Sequence, residues 1–178
     1  MRKYIFVLLF FSVSCSDLDK EKQEKNVLVL SEQMKTYKNE FDAIKIDSIS
    51  VLKLSTYDVE RRVKQNYYSD TLDVLFGQKM DDFKRMRRML GPLGKEQIRL
   101  KNSINEELLQ LEKLHSDISK GYGKRESYNE YIQFEKNKVN QIKVLYEEYV
   151  KMRAQFLEMY NDLYTELDIF SKSLEVKQ

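Results

Sequence analysis

Only one cysteine, Cys15, occurs in the 178 residues, so no disulfide can close within the chain and the fold must stand on packing alone. A single histidine, His115, removes whole classes of chemistry. Glu112 and His115 have the Glu-x-x-His spacing of carboxylate-bridged di-iron bundles, but such a site needs two of these motifs and two further glutamates. The pair therefore reads as a surface pair on a helix. Structural and catalytic zinc sites need more histidine and cysteine than this chain has. A Ser-His-Asp constellation would have to use His115, which sits mid-helix, and no glycine-flanked nucleophile elbow presents a serine. No glycine-rich phosphate loop is present either. The expectation is a protein that is not an enzyme and holds no metal or cofactor.

Proline occurs once and glycine five times, and tryptophan is absent, while a third of the residues are charged. Few breakers and much charge favour long helices over sheets. The only sizeable apolar run, Tyr4–Phe11, is too short for a good membrane span. Without residues 1–14 the 31 basic residues lose Arg2 and Lys3, leaving 29 against 29 acidic ones. A neutral chain lacks the general basic footprint of nucleic-acid binding, so no nucleic-acid partner is expected.

What is present begins with MRKYIFVLLFFSVSC. Two basic residues, a short apolar core and small residues before a cut are the parts of a secretory signal. A cut that leaves Cys15 first looks like a bacterial lipoprotein signal, with Ser12 standing where the lipobox usually has leucine. The resemblance implies a signal peptide over residues 1–14 and a lipidated Cys15. A polar tether would then cover 15–26, followed by a single domain over 27–178. Acidic residues directly after the cysteine (Ser16-Asp17-Leu18-Asp19) resemble the surface-export signal of Bacteroidota lipoproteins. That implies a cell-envelope, outer-membrane address, surface-exposed in one reading and a solvated tether in the other. Membrane contact is through the anchor, and any protein partner is unidentified.

The rest is striped at helical spacing. Val27, Leu30, Met34, Tyr37, Phe41 and Ile44 predict a helix over 27–45. Residues 44–57 alternate partly like a strand, but no second strand is near, and a bent helical connection is the better reading. Leu72, Phe76, Met80, Phe83, Met86 and Leu90 predict a helix over 58–90, with a weak point at Tyr67–Asp70. Ile98 to Ile118 predict a helix over 95–120, stopped by Gly121. Ser127 and Glu130 have capping-box spacing. An uninterrupted stripe from Tyr128 to Leu174 predicts a helix over 125–173, on the order of 70 Å at 1.5 Å per residue. Gly91-Pro92-Leu93-Gly94 is either a sharp turn within a compact up-down bundle or a kink inside one long arm. The turn is favoured, because proline cannot continue the hydrogen-bond ladder. The fold class is all-α: an elongated antiparallel helical bundle or hairpin of about four helices with one long C-terminal helix.

Residues 97–139, flanked by these stripes and preceded by the leader, resemble the small helical lipoproteins of Bacteroidota. Leu108, Leu111, Leu114, Asp117 and Ile118 carry the likeness, with Tyr128, Tyr131, Ile132 and Glu135. It covers about a quarter of the chain and brings no functional residue with it.

One surface cluster remains. Lys84, Arg85, Arg87, Arg88, Lys95, Arg99 and Lys101 gather around Gly91–Gly94 with Glu96 as the opposing charge. They form a candidate anion-binding patch, unless they serve only the dipole of the preceding helix. The tyrosines of the last helix read mainly as core, with Tyr131 and Tyr164 off the stripe. The expected role is binding or structural spacing at the envelope. The alternative is a periplasmic chaperone or adaptor gripping clients with the long C-terminal helix, which would need the stripe over 150–174 to be open.

Overall fold

A computed structural model describes residues 11–46, 48–71 and 73–176, with side chains from Leu18 onward. The leader's residues 1–10, the Cys15 side chain and Leu72 of the second stripe lie outside this description. Four helices carry the fold: α1 (Phe11–Ile44), α2 (Ile49–Asn66), α3 (Val74–Lys120) and α4 (Tyr128–Glu175). Among the described residues there is no strand, and no helix is long and apolar enough to cross a membrane. The all-α class and the long last helix are as the stripes predict.

Two compact units form, each with three helical segments. One joins α1, up to Ala43, with Leu100–Val144; the other joins Ile44–Arg99 with the chain from Leu145 on. In the first unit Val27, Leu30, Met34 and Phe41 of α1 are buried. So are Leu100, Ile104, Leu111 and Ile118 of α3, and Tyr128, Ile132, Val139 and Ile142 of α4. In the second, Val59 and Val63 of α2 are buried with Phe83, Met86, Leu90 and Leu93 of α3 and Tyr149, Phe156 and Leu167 of α4. The spacing alternates between three and four from Phe83 to Ile118 on α3 and from Tyr128 to Leu167 on α4, and slips at the outer ends, where Met80 and Ser171 are buried. That is a repeat of 3.5 residues, the seam of helices packed knobs into holes.

The α3–α4 pairing is antiparallel and keeps one register in each unit. Asp117 meets Tyr128 and Glu107 meets Lys138 in the first; Gln97 meets Tyr149 and Lys79 meets Glu166 in the second. Each step along α3 is matched by a near-equal step back along α4.

The expected turn at Gly91–Gly94 is not there. The helix α3 runs unbroken from Val74 to Lys120 with Pro92 inside it. Leu90 and Leu93 are both fully buried, and Pro92 faces solvent. The seam holds the helix on either side, and the cost is confined to the exposed face, where the Arg88 carbonyl loses its donor. Gly94 serves close approach instead of a bend: a Cβ added there would lie 3.4 Å from Cγ2 of Ile49, where α2 begins.

Other boundaries move too. The bent connection over 44–57 is a short break after Ile44 followed by α2 from Ile49, so this helix begins nine residues before the expected position 58. The weak point near Tyr67–Asp70 is a full interruption between Asn66 and Val74. The helix α1 is already formed from Phe11, where the described residues start, and not only from 27, so the stretch expected to be a tether is helical. Gln23, inside that stretch, donates to Oδ1 of Asn129 at 3.1 Å. The capping box does not form: the chain enters α4 through a 3-10 turn, Arg125–Ser127. The Tyr128 hydroxyl ties the connection, 2.6 Å from the Tyr122 carbonyl and 3.1 Å from that of Asp117.

The stop after Lys120 is where the sequence puts it. Gly121 takes φ +70°, its N–H donates to the Ile118 carbonyl, and the Tyr122 N–H donates to that of Asp117. This is the Schellman arrangement that satisfies the last carbonyls of a helix.

Two outcomes are expected in chemical denaturation. Phe156→Ala should lower stability by about 3–5 kcal/mol, because the ring is fully buried, while the exposed Lys151→Ala should barely change it. Pro92→Ala should raise stability by roughly 1–3 kcal/mol, since the ring interrupts a helix that the seam already holds.

Candidate functional site

With α3 continuous, the basic cluster falls along one helix. Lys84, Arg88, Lys95 and Arg99 share a face with Gly91 between them, because residues three and four apart line one side. Arg85 and Lys101 lie on other faces. Arg87 leans across to α2, where its Nε sits 2.7 Å from Oε2 of Glu60.

Carboxylates already hold part of the cluster. Lys84 pairs with Asp81 at 3.1 Å, Arg99 with Glu96 at 3.5 Å, and Arg85 with Asp82. Arg88, Lys95 and Lys101 have no carboxylate partner among the described residues. The sequence reading gave the cluster a single opposing acid, Glu96. Asp81 and Asp82 stand three residues before Lys84 and Arg85, a spacing visible in the sequence. Glu60 is on another helix, and no local signal could have found it.

Glu60 is buried, 5% exposed, and is pulled two ways. Burial pushes its carboxyl up. The hydrogen bond from Lys64 and the charges of Arg87, Lys64 and Lys84 outweigh that and hold it below the usual carboxylate range. The Lys64 contact is 2.7 Å.

Beside this pair a groove of about 620 Å³ separates α2 from α3, lined by Lys53, Leu54, Tyr57, Arg87, Arg88 and Gly91. Leu54 and Tyr57 are 63% and 51% exposed, and the Arg87 guanidinium lies 6.0 Å from the centre of the Tyr57 ring. No neighbouring atom would meet a Cβ at Gly91, so the backbone there is open to approach. Lys53, across the groove from Arg88, has no carboxylate partner among the described residues. The arrangement can attract an anion and offer it an aromatic and apolar floor.

Just beside the groove, Gln97 fastens the break between α1 and α2. Its Oε1 accepts from the Ile46 N–H at 2.9 Å and from the Tyr149 hydroxyl at 2.7 Å, and its Nε2 donates to the Ile46 carbonyl at 2.9 Å. The sequence reading passed over Gln97, because its partners are far away in the chain.

In the first unit the seam carries one charged layer. Lys138 lies 2.9 Å from Glu107 and 2.8 Å from Glu135. Burial and the Glu135 charge push Glu107 up against the opposing pull of Lys138. Lys138 is itself raised: burial works against its charge, but hydrogen bonds to both carboxylates win. His115 is half-buried and lines a separate apolar groove with Leu28, Leu108, Leu109 and Glu112. No group of three or more His, Cys, Asp or Glu converges among the described residues as a metal would require.

Of the tyrosines, Tyr128 and Tyr149 are buried with their hydroxyls bonded, and Tyr131 is 43% exposed. Tyr164 stacks on Tyr160 with ring centres 4.6 Å apart. Cys15 lies in α1 one helical turn before Asp19. Comparison with known proteins returns no matching family model, no matching curated sequence and no matching solved structure.

Glu60 gives this site an acid signature. Because its folded pKa is lowered, its contribution is present above the ordinary value of 4.5 and is lost as pH falls through the folded value. Glu60→Gln should therefore be less stable than the native chain at neutral pH. The difference should close as pH drops below 4.5, followed by urea midpoints across the range. Gln97→Ala should cost about 1–3 kcal/mol at all these pH values by leaving partly buried Ile46 groups unpaired.

Proposed function

We propose that this chain is a lipid-anchored protein of the bacterial cell envelope, akin to the small helical lipoproteins of Bacteroidota, that acts by binding or structural spacing and not by catalysis. Cys15, at the end of the leader, carries the lipid. The address is the outer membrane, with surface exposure favoured by Asp17 and Asp19 directly after the cysteine. The chain's charge patterning assigns it no nucleic-acid partner.

The observation that carries the reading is how the apolar stripe of α4 is used. Tyr149, Phe156 and Leu167 are covered within their own unit, and Leu163 is half-buried. What α4 leaves exposed is scattered: Tyr131, Phe134 and Val144 in the first unit, and in the second Val150, at 37%, and Ile169, at 65%, nineteen positions apart. A chaperone or adaptor that grips clients along this helix needs the stripe open, and the packing speaks against that second reading. The second unit turns outward the cationic groove lined by Lys53, Arg87 and Arg88. It supports binding of anionic material, such as acidic envelope polymer.

The anchor is the testable part. Cys15→Ala should abolish acyl-chain labelling in cells and shift the protein from the membrane to the soluble fraction. Labelling that persists in this variant overturns the proposal.

A further inference from the structure

We propose that the α3–α4 connection, residues 120–126, is a second membrane contact that seats on the phosphate layer of the bilayer holding the anchor. The inference rests on lipidation of Cys15 and adds an orientation to it.

Its first support is the lack of slack. The helix α1 is continuous through Cys15, so anchor and fold are joined by helix and not by flexible chain. Four residues separate Cys15 from Asp19, about 6 Å along a helix. Asp19, Lys20 and Gln23 share a surface pocket with Gly121, Arg125 and Asn129. The hydrogen bond from Gln23 to Asn129 closes the same corner. Cys15 therefore stands about one helical turn before the residues of α1 that meet the α3–α4 connection.

The second support is what this connection displays. Tyr122 is 62% exposed, although its backbone is fully tied. Gly121 and Gly123 flank it with φ of +70° and +82°, and its N–H and carbonyl are held by Asp117 and by the Tyr128 hydroxyl. The fold spends two left-handed glycines and a buried hydroxyl on a loop that turns an aromatic ring to solvent. Lys120 lies over that ring, 5.9 Å from its centre. Lys124 and Arg125 follow, against Glu126; across the pocket α1 contributes Asp19 and Lys20, and Lys20 is 3.9 Å from Glu24. An exposed tyrosine flanked by long cations suits a membrane interface. The ring sits at headgroup level, and the cations reach lipid phosphates while their stems stay apolar.

The chain's composition makes the test clean. From Cys15 on it has one thiol and no tryptophan. A Tyr122→Trp variant of the mature chain is coupled through Cys15 to a maleimide lipid in vesicles of phosphatidylglycerol and phosphatidylcholine with brominated acyl chains. The expected result is blue-shifted, quenched emission. Both effects should weaken when Lys120 and Lys124 are changed to Glu in the same chain. Val29→Trp, at a position 50% exposed, lies about 21 Å beyond Cys15 along α1 and should keep the emission of water-exposed tryptophan. Quenching of Tyr122→Trp no stronger than that of Val29→Trp overturns the proposal, whether both are bright or both are quenched. Because the coupling supplies the anchor chemically, this result is read independently of acylation in cells, which the Cys15→Ala labelling decides separately.

Discussion

Everything in this molecule depends on two apolar seams that keep a 3.5-residue repeat over most of their length. On α4 the positions run 128, 132, 135, 139, 142 and onward to 167, and on α3 they run from 83 to 118 in the same alternation. Ordinary helices drift off a seven-residue repeat by about 20° per heptad, so a strict repeat over this length constrains both helices to wind about each other. Two helices bury only part of their faces. In one unit α1 covers the rest, and in the other α2 does, each with its own three-and-four spacing.

Seams made only of leucine-like residues leave register undetermined, and polar residues at single seam positions are the known remedy. Here Glu107 and Glu135 interrupt the apolar pattern in the first unit, and Gln97 and Arg153 in the second. The bonds of Glu107, Glu135 and Gln97 are specific. Glu107 and Glu135 share Lys138, and Gln97 reads the Ile46 backbone and the Tyr149 hydroxyl at once. A shift of one helix by a turn would strand charges in a dry layer, at a cost well above that of an apolar mismatch.

The seams were legible because periodicity is a local property: Tyr128 to Leu174 can be counted off directly. The Gly121 stop was legible for the same reason. Gly91–Gly94 was misread because the local rule for proline is right and incomplete. The buried pair Leu90 and Leu93 outweighs it, and that burial comes from partners far along the chain. The start of α2 was lost because Ile44, Ile46, Leu52 and Leu54 alternate like a strand, while Thr56, which breaks a helical stripe on paper, is fully buried. Its hydroxyl is satisfied by the Leu52 carbonyl at 2.7 Å. In the candidate site the cations were found, and the local acids Asp81, Asp82 and Glu96 could be counted off, but the hold of Glu60 on Arg87 could not, since Glu60 comes from a different helix. Anchorage was legible only as resemblance at Cys15.

The tie of Tyr128 to the Asp117 and Tyr122 carbonyls also bears on how the chain reaches its native state. It joins residues six and eleven apart, whereas Lys79 and Glu166 are 87 apart and Arg62 and Asp168 are 106 apart. Closing a short loop costs less entropy than closing a long one, and non-local contacts must wait for that cost to be met. Refolding should start at the α3–α4 turn and travel outward along the two long helices, so the turn acts as the pin of a zipper. Each helical turn added shortens the loop that the next contact has to close, and Tyr67, Phe76 and Phe170, whose rings gather within 6 Å, would be among the last to lock.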